Sequence, residues 1–417
     1  MKTEWIKLVG LFLMALLLCG GLSAQATKGP GYVTISGTVK DQSSKKNLEY
    51  VNISVAGTSI GTVTNADGGF SIKVNDSIQA SALEISYLGY RNQRYPIKGE
   101  DVENAVILLA PHTNTLPEVV VRAMDPLKLV ENAVSKIGSN NSINHTMLTG
   151  FYRETIRKRR NYINVTEAIV NVYKTPYMDN VDRDRVQVFK GRQLLSPKAG
   201  DTLVVKLQGG PNYSIYLDAV KNRELLLDEQ SLREYKYRME TPVMLDKRPH
   251  FVVSFEPQVV QPYPLFYGTM YIDEETLAFT QIEFSFNMKD RNKITNTILK
   301  KKPFNLRFKP EEITYLVTYK QENGVSYLNY IQNSIRFKCD WKRRLFSTSY
   351  TVVSEMVVTD KQLNNVSAIP HKLAFNVKNV LSDKVSNFYD DDFWEGYNII
   401  APTESLESAV NKLKKKY

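Results

Sequence analysis

The chain has 417 residues, with 54 Lys and Arg against 44 Asp and Glu, for a net charge of +10. That length allows two domains with separate cores. Two cysteines cannot build a disulfide framework, and the basic balance comes with no nucleic-acid motif, so a stapled miniprotein and a nucleic-acid binder are both set aside.

Lys2 and Lys7 precede an apolar run from Leu8 to Leu18, and a small-residue stretch follows through Ala26. This order reads as a secretory signal peptide over residues 1–26, too short to span a bilayer. A lipidated Cys19 is the rival reading, but Leu18 is bulky where lipoprotein processing wants a small residue. The exported chain then keeps only Cys339, between Lys338 and Asp340, where a strand would turn it inward. No later apolar run reaches spanning length, so no transmembrane helix is expected in the mature chain. The expected location is the periplasm or the outer membrane. A basic protein there is drawn to anionic lipid and glycan, although a basic surface also simply favours solubility.

Residues 27–111 alternate in short runs. Val33 to Val39, Tyr50 to Val55, Ser71 to Val74, Leu83 to Tyr90 and Val106 to Leu109 are separated by Gly, Asn and Asp. Such spacing predicts an antiparallel β-sandwich. Ile35-Ser36-Gly37-Thr38-Val39, then Gly57-Thr58, Gly61-Thr62, Thr64, Asp67-Gly68 and Phe70, and finally Ile85-Ser86-Tyr87-Leu88-Gly89-Tyr90 follow one another in order. This pattern resembles the carboxypeptidase-regulatory-like domain. The resemblance implies a seven-stranded fold of the transthyretin type that carries no chemistry. In that family the domain stands at the front of many TonB-dependent outer-membrane receptors and related surface proteins of Gram-negative bacteria.

A Pro- and polar-rich linker is expected over 112–124. Asp125-Pro126 then offers an N-cap followed by proline at the first helical position, and Leu127, Val130, Val134 and Ile137 recur at helical spacing. A helix near 126–137 therefore stands where a receptor's plug would begin, and the receptor function is not carried over.

From Thr149 the pattern is β, and residues 125–417 are expected to form a larger antiparallel meander, a half-barrel or curved sheet with a few helices. Predicted strands cover 150–156, 162–173, 186–189, 203–207, 235–243, 251–255, 267–272, 279–286, 312–320, 327–337 and 345–358. Turn signals at Lys158–Asn161, Asp273–Thr276 and Asn323-Gly324 predict hairpins. Leu217 to Tyr235 is a candidate covering helix. A last helix near 404–416 carries the stripe Leu406, Ala409, Val410 and Leu413, with lysines at its end. It reads first as a docked helix and second as a basic foot on an anionic surface. The hairpin style around Tyr267–Phe279 also resembles the half-barrel of periplasmic lipoprotein carriers, which implies an apolar face able to take acyl chains.

No chemistry-bearing motif stands in a fitting context. Gly57-Thr58-Ser59-Ile60-Gly61 matches a nucleophile elbow by letter, but β-structure follows where a helix is required. His112, His145, His250 and His371 lie far apart, and Asp383 with Asp390-Asp391-Asp392 lacks the glycine spacing of a calcium loop. No catalytic residue, metal ligand or cofactor is expected. Basic clusters at Arg157, Lys158, Arg159 and Arg160, at Lys300 to Lys302, and at Lys342, Arg343 and Arg344 fall at predicted hairpin tips. The first and last are candidate contacts for an anionic ligand, against the plainer reading of solvated tips that blunt sheet edges.

The function expected is a non-enzymatic envelope protein that binds or scaffolds a lipid, glycan or protein partner. The alternatives are a hydrolase with a dispersed site and a small outer-membrane barrel.

Overall fold

The structure is a computed structural model that describes residues 31–112, 124–198, 200–342, 346–376, 379, 381, 385–387 and 393–414. The expected leader with Cys19, the linker from 113 to 123, Arg343, Arg344, Asp383 and Asp390 to Asp392 lie outside the described residues.

The N-terminal unit consists of β1 (Tyr32–Asp41), β2 (Asn52–Val55), β3 (Gly61–Val63), β4 (Gly69–Asn75), β5 (Ala82–Ser86), β6 (Gln93–Pro96) and β7 (Val102–Leu109). These strands form two sheets, β4-β1-β7 and β3-β2-β5-β6. Alternate residues Ile35, Val39, Ile53, Phe70, Ile72, Leu83 and Ile107 meet in one core, as a sandwich requires. β1 and β7 run parallel, a departure from the antiparallel expectation. Gly37 permits their close approach, since a Cβ there would lie 2.0 Å from the Ala105 carbonyl oxygen.

The larger unit opens with α1 (Pro126–Ser135) and α2 (Ile137–Asn140), followed by β8 (Thr146–Lys158), β9 (Asn161–Lys174), β10 (Arg185–Leu195) and β11 (Lys206–Leu207). Next come α3 (Pro211–Tyr216), α4 (Glu229–Leu232), β12 (Tyr235–Met239), β13 (Val243–Leu245), β14 (Arg248–Pro257), β15 (Phe266–Asp273) and β16 (Phe279–Phe286). The chain continues through α5 (Arg291–Ile298), β17 (Leu299–Lys301), β18 (Leu306–Glu322), β19 (Val325–Trp341), β20 (Thr348–Gln362), β21 (Ser386–Asn387) and α6 (Glu404–Lys414). One sheet takes the order β12-β14-β15-β16-β18-β19-β20-β8-β9-β10-β21, with β13 beside β14. It is an open meander ending at β12 and β21, and the small-barrel alternative is corrected by that absence of closure among the described strands.

Local chemistry sets these elements. Asp125 caps α1 by accepting from the N–H of Leu127 at 2.9 Å, and Leu129, Val130 and Ala133 form its buried face. Asn323 and Gly324 take positive φ values of 51° and 81° between the paired Glu322 and Val325, the geometry of a tight hairpin. Pro310 sits inside long β18, but at the point where β16 no longer flanks it and the register bulges. Cys339 is buried, and burial raises its thiol pKa to about 12.

Four expectations change. The candidate helix over 217–235 is instead a chain of short turns, with α3 before it, a 3₁₀ turn at Arg223–Leu225 and then α4. The strand expected over 203–207 shrinks to β11, which pairs with β17 outside the main sheet. The strand expected over 235–243 breaks into β12 and β13 around Pro242. Helix α5 was not expected. It forms because Asp290 caps the N–H groups of Asn292 and Lys293 while Ile294 and Ile298, one turn apart, are buried.

Neighbouring residues on the central strands serve opposite faces. Tyr152, Val170, Phe284 and Ile335 point toward α1, α5 and the 211–232 segment. Phe151, Ile169, Tyr330 and Val357 point the other way, against Val63 of the sandwich and against Trp394 and Ile400. Residues 393–402 thus run as a strap between sandwich and sheet. Thr62 Oγ1 donates to the Ile399 carbonyl at 2.9 Å, and Asn65 Nδ2 donates to the carbonyls of Ala401 at 3.1 Å and Pro402 at 2.9 Å. Asp67 of the sandwich accepts from the Glu404 N–H at 2.9 Å, so it shares the capping of α6 with Thr403. Leu406 and Leu413 of α6 pack on Val165 and Leu194, so the helix is docked.

The sheet's grip on the strap is Arg153, only 2% exposed. Its guanidinium donates to the Ile400 carbonyl at 2.7 Å and pairs with Glu167 at 2.7 Å and Glu355 at 3.3 Å. Arg192 completes the group, bonding Glu167 at 2.9 Å and lying 4.7 Å over the Trp394 ring. Burial alone would raise the Glu167 pKa, but Arg153 and Arg192 outweigh it and hold the carboxyl below its ordinary 4.5. Arg153→Ala strands Glu167 without its main counter-charge, and a loss of about 3–5 kcal/mol is expected in denaturant unfolding. Because the folded pKa is depressed, the Glu167 contribution is present above pH 4.5 and is lost as pH falls through the folded value. A Glu167→Gln variant should therefore lose part of the acid-side slope of melting temperature against pH.

Candidate binding cavity and the basic end of the sheet

Between the covered sheet face and the 208–235 segment lies a cavity of about 810 Å³. Its position follows from how that segment is pinned. Leu217-Asp218-Ala219-Val220-Lys221 puts two charges into an apolar stretch, and all five residues are buried. Asp218 accepts from Lys174 Nζ at 2.8 Å, from the Tyr319 hydroxyl at 2.8 Å and from the Tyr177 hydroxyl at 3.2 Å. Asp184 pairs with Lys174 at 3.1 Å and lies 3.8 Å from Lys221. Lys221 Nζ donates to Thr175 Oγ1 at 2.9 Å and to the Thr175 carbonyl at 3.2 Å. Two ammonium groups and two carboxylates are thus buried as one neutral, hydrogen-bonded group.

Their titration follows from placement. Burial opposes the charge on Lys174, but the two carboxylates beside it prevail and raise its pKa. Lys221 is pushed down to about 8, chiefly by burial. Burial, reinforced by Asp218, holds the Tyr177 and Tyr319 phenols neutral far above their usual range.

The cavity wall is largely aromatic. Phe266 stacks on Phe286 with centroids 4.5 Å apart, and Phe284, beneath the wall, stacks on Tyr315 at 4.8 Å. Tyr213, Tyr216, Tyr235, Tyr263 and Phe375 complete the aromatic lining. Asn212 Nδ2 ties the Phe375 carbonyl at 2.6 Å, and the Phe375 N–H reaches the Val186 carbonyl at 2.6 Å. The charged lining is mostly acidic. Asp182 and Glu224 are exposed at the rim, while buried Glu234 accepts from Gln261 Nε2 at 2.8 Å and from the Tyr263 hydroxyl. Lys300 is the one basic side chain among the lining residues described.

A smaller cleft of about 280 Å³ separates sandwich and sheet. Within it His250 Nε2 meets Thr280 Oγ1 at 2.9 Å, and Nδ1 meets the Arg248 carbonyl at 3.1 Å. The carbonyl can only accept, so Nδ1 carries the proton and Thr280 donates to Nε2. Asp273 lies 3.7 Å from that same Nε2, whereas a relay carboxylate would bond Nδ1. Asp273 Oδ1 instead holds the β15–β16 turn through the N–H groups of Glu275 and Thr276. Burial lowers the His250 pKa.

The other residues singled out above disperse. His145 stacks on Tyr173 at 5.2 Å, His371 meets Arg185 at 2.9 Å, and His112 lies apart. Ser59 donates to Asp360 across the domain boundary, from a turn with β-structure on both sides. Among the described residues, no three of His, Cys, Asp and Glu converge as metal ligands.

The basic clusters behave otherwise. Lys158, at the end of β8, pairs with Tyr350 of β20, which pairs with Phe337 of β19. The β8–β9 tip and the β19–β20 connection therefore emerge at one end of the sheet, together with Lys300, Lys301 and Lys302 ahead of β18. Arg159 and Arg160 are exposed there, Arg157 lies 5.7 Å over the Tyr162 ring, Lys158 pairs with Asp201 at 3.3 Å, and Lys342 lies 5.0 Å over the Phe304 ring. The buried Lys174–Asp218 group had no sequence spacing to reveal it. Its signal was Asp218 and Lys221 inside an otherwise apolar run.

Residues 35–121 match the CarboxypepD_reg-like domain family. The chain is also similar to the TonB-dependent receptor P3 of Formosa agariphila, 32% identical over 145 residues, or 35% of this chain and 13% of the receptor. A second relative is the TonB-dependent receptor SusC of Bacteroides thetaiotaomicron, 29% identical over 111 residues, or 27% of this chain and 10% of the receptor. The match thus spans only a small part of either receptor. Among solved structures, a DUF1329 family protein from Desulfovibrio piger aligns over 59% of this chain and 96% of its own, at 10% identity and a TM-score of 0.25. A LolA superfamily protein from Nitrosomonas europaea aligns over 61% and 98%, at 9% identity and a TM-score of 0.22. Scores this low define no shared fold.

Asp218→Ala leaves Lys174 buried with one carboxylate fewer and unties the segment that roofs the cavity. A loss of about 3–5 kcal/mol is expected, together with faster amide exchange across residues 211–232 in mass-spectrometric hydrogen exchange.

Proposed function

We propose that this is a non-enzymatic protein of the cell envelope whose larger domain binds an elongated, mainly apolar ligand in the cavity under the 208–235 segment. The observation that carries the reading is the cavity itself: about 810 Å³, aromatic-walled and roofed by a firmly anchored segment. Small-molecule sites run from about 300 to 1,000 Å³ with this kind of lining. The envelope location is supported by the leader expected over 1–26 and by the likeness to TonB-dependent receptors.

The lining also bears on ligand class. Phe266 faces Phe286, and Tyr315 faces Phe284, so these rings cover one another and offer edges more than open platforms. That arrangement favours an acyl-type chain over a stacked sugar ring. Acidic side chains at the rim favour a polar end that donates hydrogen bonds or carries positive charge, and disfavour a free phosphate or carboxylate at that mouth. A non-catalytic role is supported by the uses already made of the titratable groups: Asp218 and Asp184 anchor the roof, and Asp273 builds a turn.

The test is organic extraction and mass spectrometry of the protein purified from a Gram-negative envelope, followed by titration of the emptied protein with a fluorescent acyl-chain probe. A co-purifying amphipathic lipid and saturable probe uptake are expected. Leu225→Trp, which fills the cavity from its lining, should weaken the probe by about tenfold or more, while Ser59→Ala, outside that lining, leaves it unchanged. Folded protein that takes up no probe, or that binds it equally well after Leu225→Trp, sinks the proposal.

A further inference from the structure

In an up-and-down sheet successive loops leave at alternate ends, so register decides which loops are neighbours. Here the β8–β9 tip, residues 302–305 before β18 and the connection from β19 to β20 share one end. Two large aromatic side chains stand there largely in solvent, with the Lys342 ammonium 5.0 Å over the ring of Phe304. Phe304 is 90% exposed and Phe346 is 79% exposed. The β14–β15 loop leaves the sheet in the same direction and carries Val260, 91% exposed.

Around these side chains lie Arg159, Arg160, Lys300, Lys301, Lys302 and Lys342, all exposed. None of the six has an ion pair with a described carboxylate. Three acids of this region are taken by other lysines: Asp201 pairs with Lys158 at 3.3 Å, Asp290 with Lys293 at 3.3 Å, and Asp340 with Lys309, while Asp182 and Glu224 stand at the rim of the cavity that Lys300 also lines. Exposed phenylalanines among six cations that make no ion pair with a described carboxylate are costly for a surface that meets only water. Together they suit a partner that is negative at its surface and apolar a few ångströms below.

We propose that this end of the sheet docks on an anionic lipid bilayer, with Phe304 and Phe346 entering the headgroup–acyl boundary and the six cations lying among the headgroups. A soluble polyanion would use the cations and leave both phenylalanines in water; a bilayer uses both sets. Lys300 belongs to this cluster and to the cavity lining, so the docked face adjoins the cavity. The docking stands whether or not the cavity holds a ligand.

The experiment is co-sedimentation of the full chain with vesicles of phosphatidylethanolamine and phosphatidylglycerol, against vesicles of phosphatidylcholine alone. Binding to the anionic vesicles only, weakened by salt, is expected. Phe304→Ser with Phe346→Ser should weaken it by about tenfold or more, and Lys300→Gln, Lys301→Gln and Lys302→Gln together by a similar factor. A Phe304→Trp variant gives an independent reading that keeps an aromatic ring at the tip, and its emission should shift to the blue on vesicle addition. Equal binding to neutral vesicles, no binding, or an unshifted emission spectrum from the Phe304→Trp variant would each overturn the docking. So would full binding by the double serine variant, which would make the end a soluble-polyanion site.

Discussion

The arrangement depends on a guanidinium with nowhere to go. Arg153 lies on a central strand of a wide sheet, out of water, where a charge is tolerable only if every donor finds an acceptor. Glu167 and Glu355 supply two acceptors from the flanking strands, and the Ile400 carbonyl supplies another from a segment almost 250 residues away in sequence. That third acceptor fixes the strap, and the strap in turn offers Ile399, Ala401 and Pro402 carbonyls to the sandwich. The two units, which also meet directly where Tyr50 stacks on Tyr330 and Ser59 bonds Asp360, are therefore tied further by a third element between them.

The opposite face solves a related problem by different means. A segment with little regular structure must lie over an apolar sheet without leaving backbone or side-chain polar groups unsatisfied. Asp218 and Lys221 turn inward and are matched by Lys174, Asp184 and two tyrosine hydroxyls, which locks one end of the segment. The rest spans the gap on short helical turns and leaves space beneath. A continuous amphipathic helix would have packed its stripe flat on the sheet. The cavity is thus a by-product of how the roof is anchored.

Much of the scaffold was legible because strands write themselves in period two. β8, β9, β15, β16, β18 and β19 follow the alternation of the residues that form them, and Asn323-Gly324 announced its hairpin. Signals failed where tertiary contacts overrode local ones. Arg291–Ile298 has poor helix formers and only two apolar positions, yet Asp290 and the burial of Ile294 and Ile298 make it a helix. Leu217–Tyr235 has enough leucine for a helix, but Asn222 bonds back to the Tyr216 carbonyl at 2.9 Å and the chain turns there. The cavity was not legible at all, since its anchors come from positions 174, 184, 218 and 319. The basic tips could be named from the sequence. That they converge, and that Phe304 and Phe346 stand among them, required the register.

The strap has a further consequence for how the molecule comes into being. The sandwich is synthesised first and owns a complete core, so it can fold while the remainder is still being made. Its seat on the sheet is not finished until Trp394 and Ile400 arrive, after β20 has already been laid down. During that interval Phe151, Ile169, Tyr330 and Val357 have only the sandwich's Val63 and Tyr50 against them and lack the cover of Trp394 and Ile400, the stage at which a helper protein that shields sticky surfaces would find most to hold.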